Sequence, residues 1–169
     1  MIKAIRIAAP MLLVSWMVLI FVLSSQNSAE SSDTSGGFIR SFLNIVYPEF
    51  KTLTQAEKLQ MVSSLQFYVR KGAHFTIYGI LGIFSFFSFI TYDKIKTLIR
   101  IVLSLGVCLL YSISDEIHQN FVAGRSCEIR DVIIDFCGSL VFIFAVLLIV
   151  RFTKLKRVLN GAKKRTLQC

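Results

Sequence analysis

Residues 132–150 read VIIDFCGSLVFIFAVLLIV, an almost unbroken apolar run in which Asp135 is the single charged residue. A helix of about 20 apolar residues is long enough to cross the hydrocarbon core of a bilayer. Three further runs of this kind lie at residues 7–25, 75–92 and 97–114. Hydrophobic residues make up 54% of the chain and charged residues 17%, a balance that disfavours a water-soluble globular protein. The sequence therefore predicts one all-α domain over the whole chain, an integral membrane bundle of four transmembrane helices.

The first apolar run, residues 7–25, has the basic start that is also found in signal peptides. Lys3 and Arg6 precede it. A signal peptide has a shorter apolar region and ends at a small-x-small cleavage site, whereas this run ends in LSSQ at residues 23–26. We therefore expect residues 7–25 to be retained as the first span.

The formal net charge of +9 is explained by topology. Lys and Arg residues in short loops tend to stay in the cytoplasm. With both termini inside, the cytoplasmic side holds twelve of the 19 Lys and Arg residues but one of the 10 Asp and Glu residues, and residues 151–169 form a basic cytoplasmic tail. These bases flank apolar runs and would meet anionic lipid of the inner leaflet. We therefore expect no nucleic-acid partner.

The external loop, residues 26–71, has a polar half and an amphipathic half. Residues 26–37, QNSAESSDTSGG, are polar and rich in Ser and Gly, and they are predicted to be a linker. Apolar residues then recur at helical spacing from Phe38 until Pro48, which predicts an interfacial amphipathic helix. Thr54 and Glu57 have the spacing of a capping box, so a second helix is expected to start there and continue into the second span.

Polar residues collect at the outer ends of three spans, where burial in a membrane is costly. Arg70, His74 and Tyr78 are spaced i, i+4, i+8 and share one helix face. The third span contributes Tyr111, Asp115, Glu116, His118 and Gln119, and the fourth span and the loop before it contribute Arg125, Arg130, Asp131 and Asp135. Mutual pairing would lower the cost of desolvating these groups, which predicts one polar pocket at the outer leaflet.

Four interpretations of this pocket remain open. In the first, the pocket is a network that only fixes helix packing, with Arg125 bidentate to Asp131 or Asp135. In the second, it is a divalent metal site, although Asp115-x-x-His118 matches no established ligand signature, so no metal or cofactor is assigned. In the third, it is a hydrolase site in which a His transfers a proton and an Arg binds an anionic oxygen. In the fourth, it is a binding pocket for a lipid headgroup or a polar antibiotic.

We assign eleven polar residues of this pocket to one of two roles. The candidate catalytic residues are His74, Asp115, Glu116, His118, Arg125 and Asp131, and the candidate substrate-binding residues are Arg70, Lys71, Tyr78, Gln119 and Asp135. Glycines accompany them on the same helices, where the absence of a side chain favours close approach of helix backbones. These glycines are Gly72, Gly79, Gly82 and Gly138.

Three stretches resemble the VanZ-like family of bacterial integral membrane proteins. The first, SSQ at residues 24–26, closes the first span, and the second, RKGAHFTIYGILG at residues 70–82, opens the second span. The longest, SDEIHQNFVAGR at residues 114–125, is followed by Asp131-Val132 and, further on, by Asp135 and Gly138. The similarity spans roughly residues 7–150.

This resemblance implies a multi-pass protein of the bacterial cytoplasmic membrane whose founding relative contributes to teicoplanin resistance, with less effect on vancomycin. The family's characteristic residues map here to His74, Tyr78, Asp115, Glu116, His118, Gln119, Arg125 and Asp131. Three positions depart from the pattern. Ala123 stands where proline is common, Phe142 stands where a second glycine often follows Gly138, and Asp135 is often Asn in relatives.

The favoured function is therefore that of a VanZ-like protein which lowers susceptibility to lipophilic glycopeptides through the outer-leaflet pocket. The expected partners are membrane lipid and either a teicoplanin-type lipoglycopeptide or a lipid-linked cell-wall precursor. One alternative is a membrane hydrolase or phosphatase acting on a phospholipid or an isoprenoid lipid phosphate. The other is a non-catalytic assembly partner, which would tolerate His74→Gln and Asp131→Asn.

Overall fold

The computed structural model describes residues 2–90, 92 and 95–152, with burial and side-chain contacts from residue 6 onward. Within these residues the secondary structure is helical, with five α-helices and a short 3₁₀ turn at Pro48–Thr52. The helices are α1 (Ile2–Ser24), α2 (Ser28–Val46), α3 (Gln55–Ile90), α4 (Thr97–Gln119) and α5 (Ile129–Phe152). Apart from Arg151 and Phe152, which end α5, the predicted basic tail lies outside the described residues.

Four of these helices, α1, α3, α4 and α5, are long and apolar enough to cross a membrane. They match the four predicted apolar runs to within two residues where the first two runs end, so the expected all-α bundle of four transmembrane helices is confirmed. Helix α4 is longer than its apolar run, because it continues past Ser114 to Gln119. Its polar residues therefore lie on a regular helix.

The prediction of a linker at residues 26–37 is wrong, because α2 begins at Ser28. Asn27 caps it: its side-chain oxygen accepts a hydrogen bond from the Glu30 N–H at 2.9 Å, and the Glu30 carboxylate accepts one from the Asn27 N–H at 3.1 Å. Such a reciprocal box satisfies two N–H groups that a helix start leaves without partners. The polar composition of residues 28–37 is therefore compatible with a helix, because the capping box at Asn27 stabilises its start.

The predicted amphipathic helix forms the second half of α2 and packs against the start of α3. Ile39 and Leu43 of α2 form a small buried cluster with Phe50 and with Val62 of α3. The polar first half of α2 is also bound to α3, because the Gln66 amide of α3 donates a hydrogen bond to the Ser32 carbonyl oxygen at 2.7 Å. The opposite face of α2 leaves large apolar side chains exposed, namely Phe38, Phe42, Ile45 and Val46.

Helix α3 is a single helix of 36 residues. Its start has the predicted capping geometry, in which the Glu57 carboxylate accepts hydrogen bonds from the N–H and the hydroxyl of Thr54 at 2.8 and 2.7 Å. The first half of α3 packs against α2, and the second half contacts α1, α4 and α5. The expectation that one helix runs from the external loop into the second span is therefore confirmed.

Glycines set the distance between α3 and α5. A Cβ at Gly138 would collide with the carbonyl oxygen of Phe75, and one at Gly82 would lie 3.0 Å from the carbonyl oxygen of Ser139. The Phe142 ring fills the space over Gly79, where a Cβ would come within 2.6 Å of it. Gly72 differs, because a Cβ there would meet nothing within 4 Å. Close backbone approach thus applies to Gly82 and Gly138, whereas Gly79 makes room for the Phe142 ring.

The first helix is packed into the bundle. The Trp16 indole donates to the Ile77 carbonyl oxygen of α3 at 2.9 Å, and the Tyr111 hydroxyl of α4 donates to the Met17 carbonyl oxygen. Ile20 is buried in a cluster with Tyr78, Leu81 and Cys108. Helix α1 therefore contributes to the core on which the polar residues of α3 and α4 are mounted.

Replacing Gly138 with Ala should destabilise the bundle. The added methyl group forces α5 away from the Phe75 carbonyl oxygen, and overpacking of this kind costs about 1–3 kcal/mol. Thermal unfolding of the purified protein in detergent, followed by circular dichroism, measures the effect. Gly106→Ala is the matched control, because its Cβ would meet nothing within 4 Å. Equal unfolding temperatures for Gly138→Ala and the wild type would contradict the proposed close contact.

Candidate functional site

The polar residues lie at the end of the bundle where α1 and α4 end and α5 begins, called the polar end below. Residues 120–128 connect α4 to α5 there. Gly124 has φ +73°, a left-handed conformation that favours glycine and turns the chain back toward the bundle. The Ala123 carbonyl oxygen accepts a hydrogen bond from the Ser28 N–H at 3.2 Å, so the start of α2 holds this loop.

Arg125, the residue after this turn, joins the loop to α1 and α4. Its Nε donates to the Gln26 carbonyl oxygen at 2.9 Å, and its Nη1 donates to Gln119 Oε1 at 3.0 Å. The Gln119 amide donates in turn to Asp115 Oδ2 at 3.1 Å. Arg125 is therefore positioned by a carbonyl oxygen and an amide, and the alternative in which it pairs with Asp131 or Asp135 is wrong.

Asp135 is fully buried and is approached from two other helices. The Ser112 hydroxyl of α4 donates to its Oδ2 at 2.8 Å, and His74 Nδ1 of α3 lies 3.4 Å from its Oδ1. Ser139, one turn along α5, donates to the Tyr78 carbonyl oxygen at 2.9 Å. Because a buried carboxylate without partners is costly, these contacts hold three helices in register around it.

Two further carboxylates fix the start of α5. Glu116 is 1% exposed, and its Oε2 accepts a hydrogen bond from the Glu128 N–H at 2.9 Å. Asp131 forms an ion pair with Lys71 of α3. A more exposed pair, Arg130 with Glu128 at 2.7 Å, lies beside them. The contacts of Glu116 and Asp131 attach the first turn of α5 and the residue before it to α4 and α3.

His118 lies apart from His74. Its Nε2 is 3.1 Å from the Ser25 hydroxyl oxygen, and its ring lies against Phe21 with 4.5 Å between the ring centroids. His118 therefore faces α1, whereas His74 faces α5. The two histidines do not share one site.

The larger cavity at the polar end has a volume of about 600 Å³ and lies between α1, α2 and α3. One part of its wall is polar and the other is apolar. The polar part includes Arg70, His74, Tyr78, Asp115 and Arg125, and the apolar part includes Ile20, Leu23, Phe38, Val69 and Ile77. The cavity thus has the amphipathic character of a lipid or a lipid-tailed ligand.

Arg70 and Arg125 also line a second, smaller cavity of about 350 Å³. Lys71, Gln119 and Asp131 lie in its wall. Burial and the nearby Arg70 lower the pKa of Arg125 from its usual value. Within the described part of the chain, Arg70 has no hydrogen-bond or ion-pair partner. Two guanidinium groups of like charge close together favour an anion between them.

Of the eleven residues predicted for the site, eight line one or both cavities. Glu116, His118 and Asp135 line neither. Among the residues that the structure describes, no three His, Cys, Asp or Glu side chains are grouped so as to hold a metal ion.

Sequence reasoning missed two groups of polar residues. Ser112 lies one turn before Asp115 and Glu116 on α4, and this helical spacing could have indicated that it faces the same neighbours. The polar residues of α2 that line the larger cavity, Ser31, Thr34 and Ser35, were assigned to a linker. The Asn27-x-x-Glu30 spacing was the signal for their helix.

Four apolar helices with a polar cluster at one end define a multi-pass membrane protein. The family model described as VanZ/LLP1 matches residues 10–151, and the chain belongs to this family. The match includes every predicted site residue and confirms the resemblance seen in the sequence. No curated protein and no solved structure matched the chain.

Replacing Ser112 with Ala should destabilise the protein. Asp135 Oδ2 then loses its hydrogen-bond donor in a buried position, which costs about 1–3 kcal/mol. Thermal unfolding in detergent is the measurement. Ser114→Ala is the control on the same helix, because the Ser114 hydroxyl is exposed and bonds only its own helix at Tyr111. An equal loss of stability in both variants would show that the contact with Asp135 contributes nothing.

Proposed function

We propose that this member of the VanZ/LLP1 family binds an anionic, lipid-tailed ligand at the outer leaflet, and that this binding lowers susceptibility to lipophilic glycopeptides such as teicoplanin. The observation that carries the proposal is the larger cavity, in which Arg70 and Arg125 face the same space as Ile20 and Leu23. A ligand that fills such a space needs an anionic group and an apolar tail.

Polar atoms that lack a partner support a ligand in this cavity. Ser24 Oγ and Tyr78 Oη are buried, and within the described residues they form no hydrogen bond. Both residues line the larger cavity. Buried polar groups are nearly always hydrogen-bonded in folded proteins, so a ligand that supplies donors and acceptors accounts for them.

The distribution of basic residues supports an external position for the polar end. Lys96, Arg100 and Arg151 lie at the opposite end of the bundle. The positive-inside rule assigns that opposite end to the cytoplasm, with both termini there. The cavity would then open at the outer leaflet of a bacterial cytoplasmic membrane. A membrane lipid, a lipid-linked cell-wall precursor and teicoplanin itself are the candidate ligands, since each combines an apolar tail with a polar group.

Arg125→Lys should reduce the effect on teicoplanin susceptibility. Lys keeps the charge but lacks the planar fork that contacts Gln26 and Gln119. The loss of a charged hydrogen bond corresponds to about a tenfold or larger change in binding. Minimum inhibitory concentrations of teicoplanin and vancomycin are measured in cells that express each variant at equal levels. Expression of the wild type should raise the minimum inhibitory concentration of teicoplanin and barely change that of vancomycin.

Arg40→Lys is the matched control, because Arg40 is exposed on α2 and lines neither cavity. It should behave as wild type. Equal shifts for the two antibiotics, or no shift with well-expressed wild type, would contradict the proposed role in resistance.

A second candidate function, hydrolysis of a lipid phosphate, is favoured by the position of His74. This residue lines the larger cavity while its Nδ1 lies beside the buried Asp135 carboxylate, an arrangement that orients an imidazole as a general base. His74 would take a proton from water as the water oxygen bonds to phosphorus. The bond from phosphorus to the lipid oxygen would break, and that oxygen would receive the proton that His74 took from water. Arg125 would stabilise the negative charge that develops on the phosphoryl oxygens.

His74→Gln should abolish such turnover and leave binding largely unchanged, because Gln keeps hydrogen-bonding atoms but cannot act as a base. The measurement is a mass-spectrometric lipid profile of cells that express wild type, His74→Gln, the Arg125→Ala Asp131→Ala double variant or an empty vector. Turnover predicts that one lipid falls and its product rises only with wild type. Four coincident profiles would exclude the hydrolase and leave binding or an assembly role.

A further inference from the structure

The smaller cavity shares two arginines with the larger cavity. Its wall includes Arg70 and Arg125, which also line the larger cavity, together with residues of α3, α5 and the α4–α5 loop. An anion held between the two guanidinium groups would therefore face both cavities. A ligand that ends in its phosphate would fill only one of the two cavities, whereas a ligand with substituents on both sides of its phosphate would fill both.

We propose that the smaller cavity is a subsite for an uncharged, hydroxylated headgroup, so that the ligand is a lipid phosphodiester. This inference rests on the proposed function, because it assumes that the larger cavity holds the lipid tail and the arginines hold the phosphate. A phosphodiester carries one substituent on each side of its phosphorus. The tail then occupies the apolar space near Ile20 and Leu23, and the headgroup occupies the smaller cavity.

The charges of the smaller cavity are largely neutralised within the protein. Lys71 pairs with Asp131, and Arg130 pairs with Glu128. Both cations also lie over the Phe67 ring, at 5.7 Å for Lys71 Nζ and 5.2 Å for Arg130 Cζ from its centroid. A headgroup with a strong charge of its own would have to break one of these pairs. A neutral headgroup would not.

Hydroxyl groups remain to contact such a headgroup. The wall contains the hydroxyls of Ser28, Ser63 and Ser126, whereas the amides of Gln66 and Gln119 in the same wall already donate hydrogen bonds within the protein. The carboxylates of Asp131 and Glu128 can each accept a further hydrogen bond beside their cation. Alternating donors and acceptors of this kind fit a polyol or a sugar. The cavity, at about 350 Å³, is large enough for either.

The test uses the purified full-length protein in detergent and two lipids with identical acyl chains. Phosphatidylglycerol is a phosphodiester with a hydroxylated headgroup, and phosphatidic acid ends in its phosphate. Lipid binding is measured by titration with native mass spectrometry. Ser63→Trp and Ser126→Trp fill the smaller cavity from two different walls. Ser64→Trp is the control, because Ser64 is the next residue on α3, is also exposed and does not line the cavity.

We expect wild type to bind phosphatidylglycerol about tenfold more tightly than phosphatidic acid, a difference of about 1.4 kcal/mol. Each filling variant should remove this preference and leave phosphatidic acid binding within about twofold of wild type. Ser64→Trp should keep it. Thermal unfolding of every variant confirms that it is folded, and if one filling variant fails to fold, the other gives the result.

The outcomes separate the subsite from the proposed function. Equal binding of both lipids by wild type, weakened by Arg125→Ala, would overturn the headgroup subsite and retain an anionic lipid ligand. A preference for phosphatidylglycerol that survives both filling variants would also overturn the subsite. Failure of wild type to bind either lipid would overturn both the subsite and the lipid ligand on which it rests.

Discussion

The close contact between Gly138 of α5 and the Phe75 carbonyl oxygen of α3 is the constraint on which the polar end depends. It brings the two helix backbones together at a point where no side chain could fit. One residue before Phe75 is His74, and one turn before Gly138 is Asp135, so the same contact places the imidazole beside the buried carboxylate. Ser112 then completes the group from α4.

Arg125 is positioned by a different set of contacts, and some of these come from outside the four spans. Arg125 reaches Gln26 and Gln119 because the loop turns at Gly124 and because the start of α2 holds that loop through Ser28. Helix α2 also forms one wall of the larger cavity. The segment after α1 is therefore part of the site, and it connects the rigid bundle to the groups that would contact a ligand.

The apolar runs, the capping box at Thr54 and the uninterrupted α3 could all be predicted, because each depends on residues within a few helical turns. The Asn27-x-x-Glu30 spacing indicates the start of α2, whereas the polar composition of the same residues favours a linker and hides this local signal. The separation of His118 from His74 could not have been predicted. Both residues lie at the same depth, and only the packing of α1 against α4 determines which helix each one faces.

The sequence by itself determined that this protein has four membrane-length helices, that the candidate site residues gather at one end, and that it belongs to the VanZ/LLP1 family. Those properties are local, since hydropathy and helical spacing are read along one segment at a time. The tertiary structure alone decided which groups pair. Lys71 forms an ion pair with Asp131, and Arg125 donates hydrogen bonds to an amide and a carbonyl oxygen. These pairings depend on the distances between segments, and the packed glycines and the turn at Gly124 set those distances.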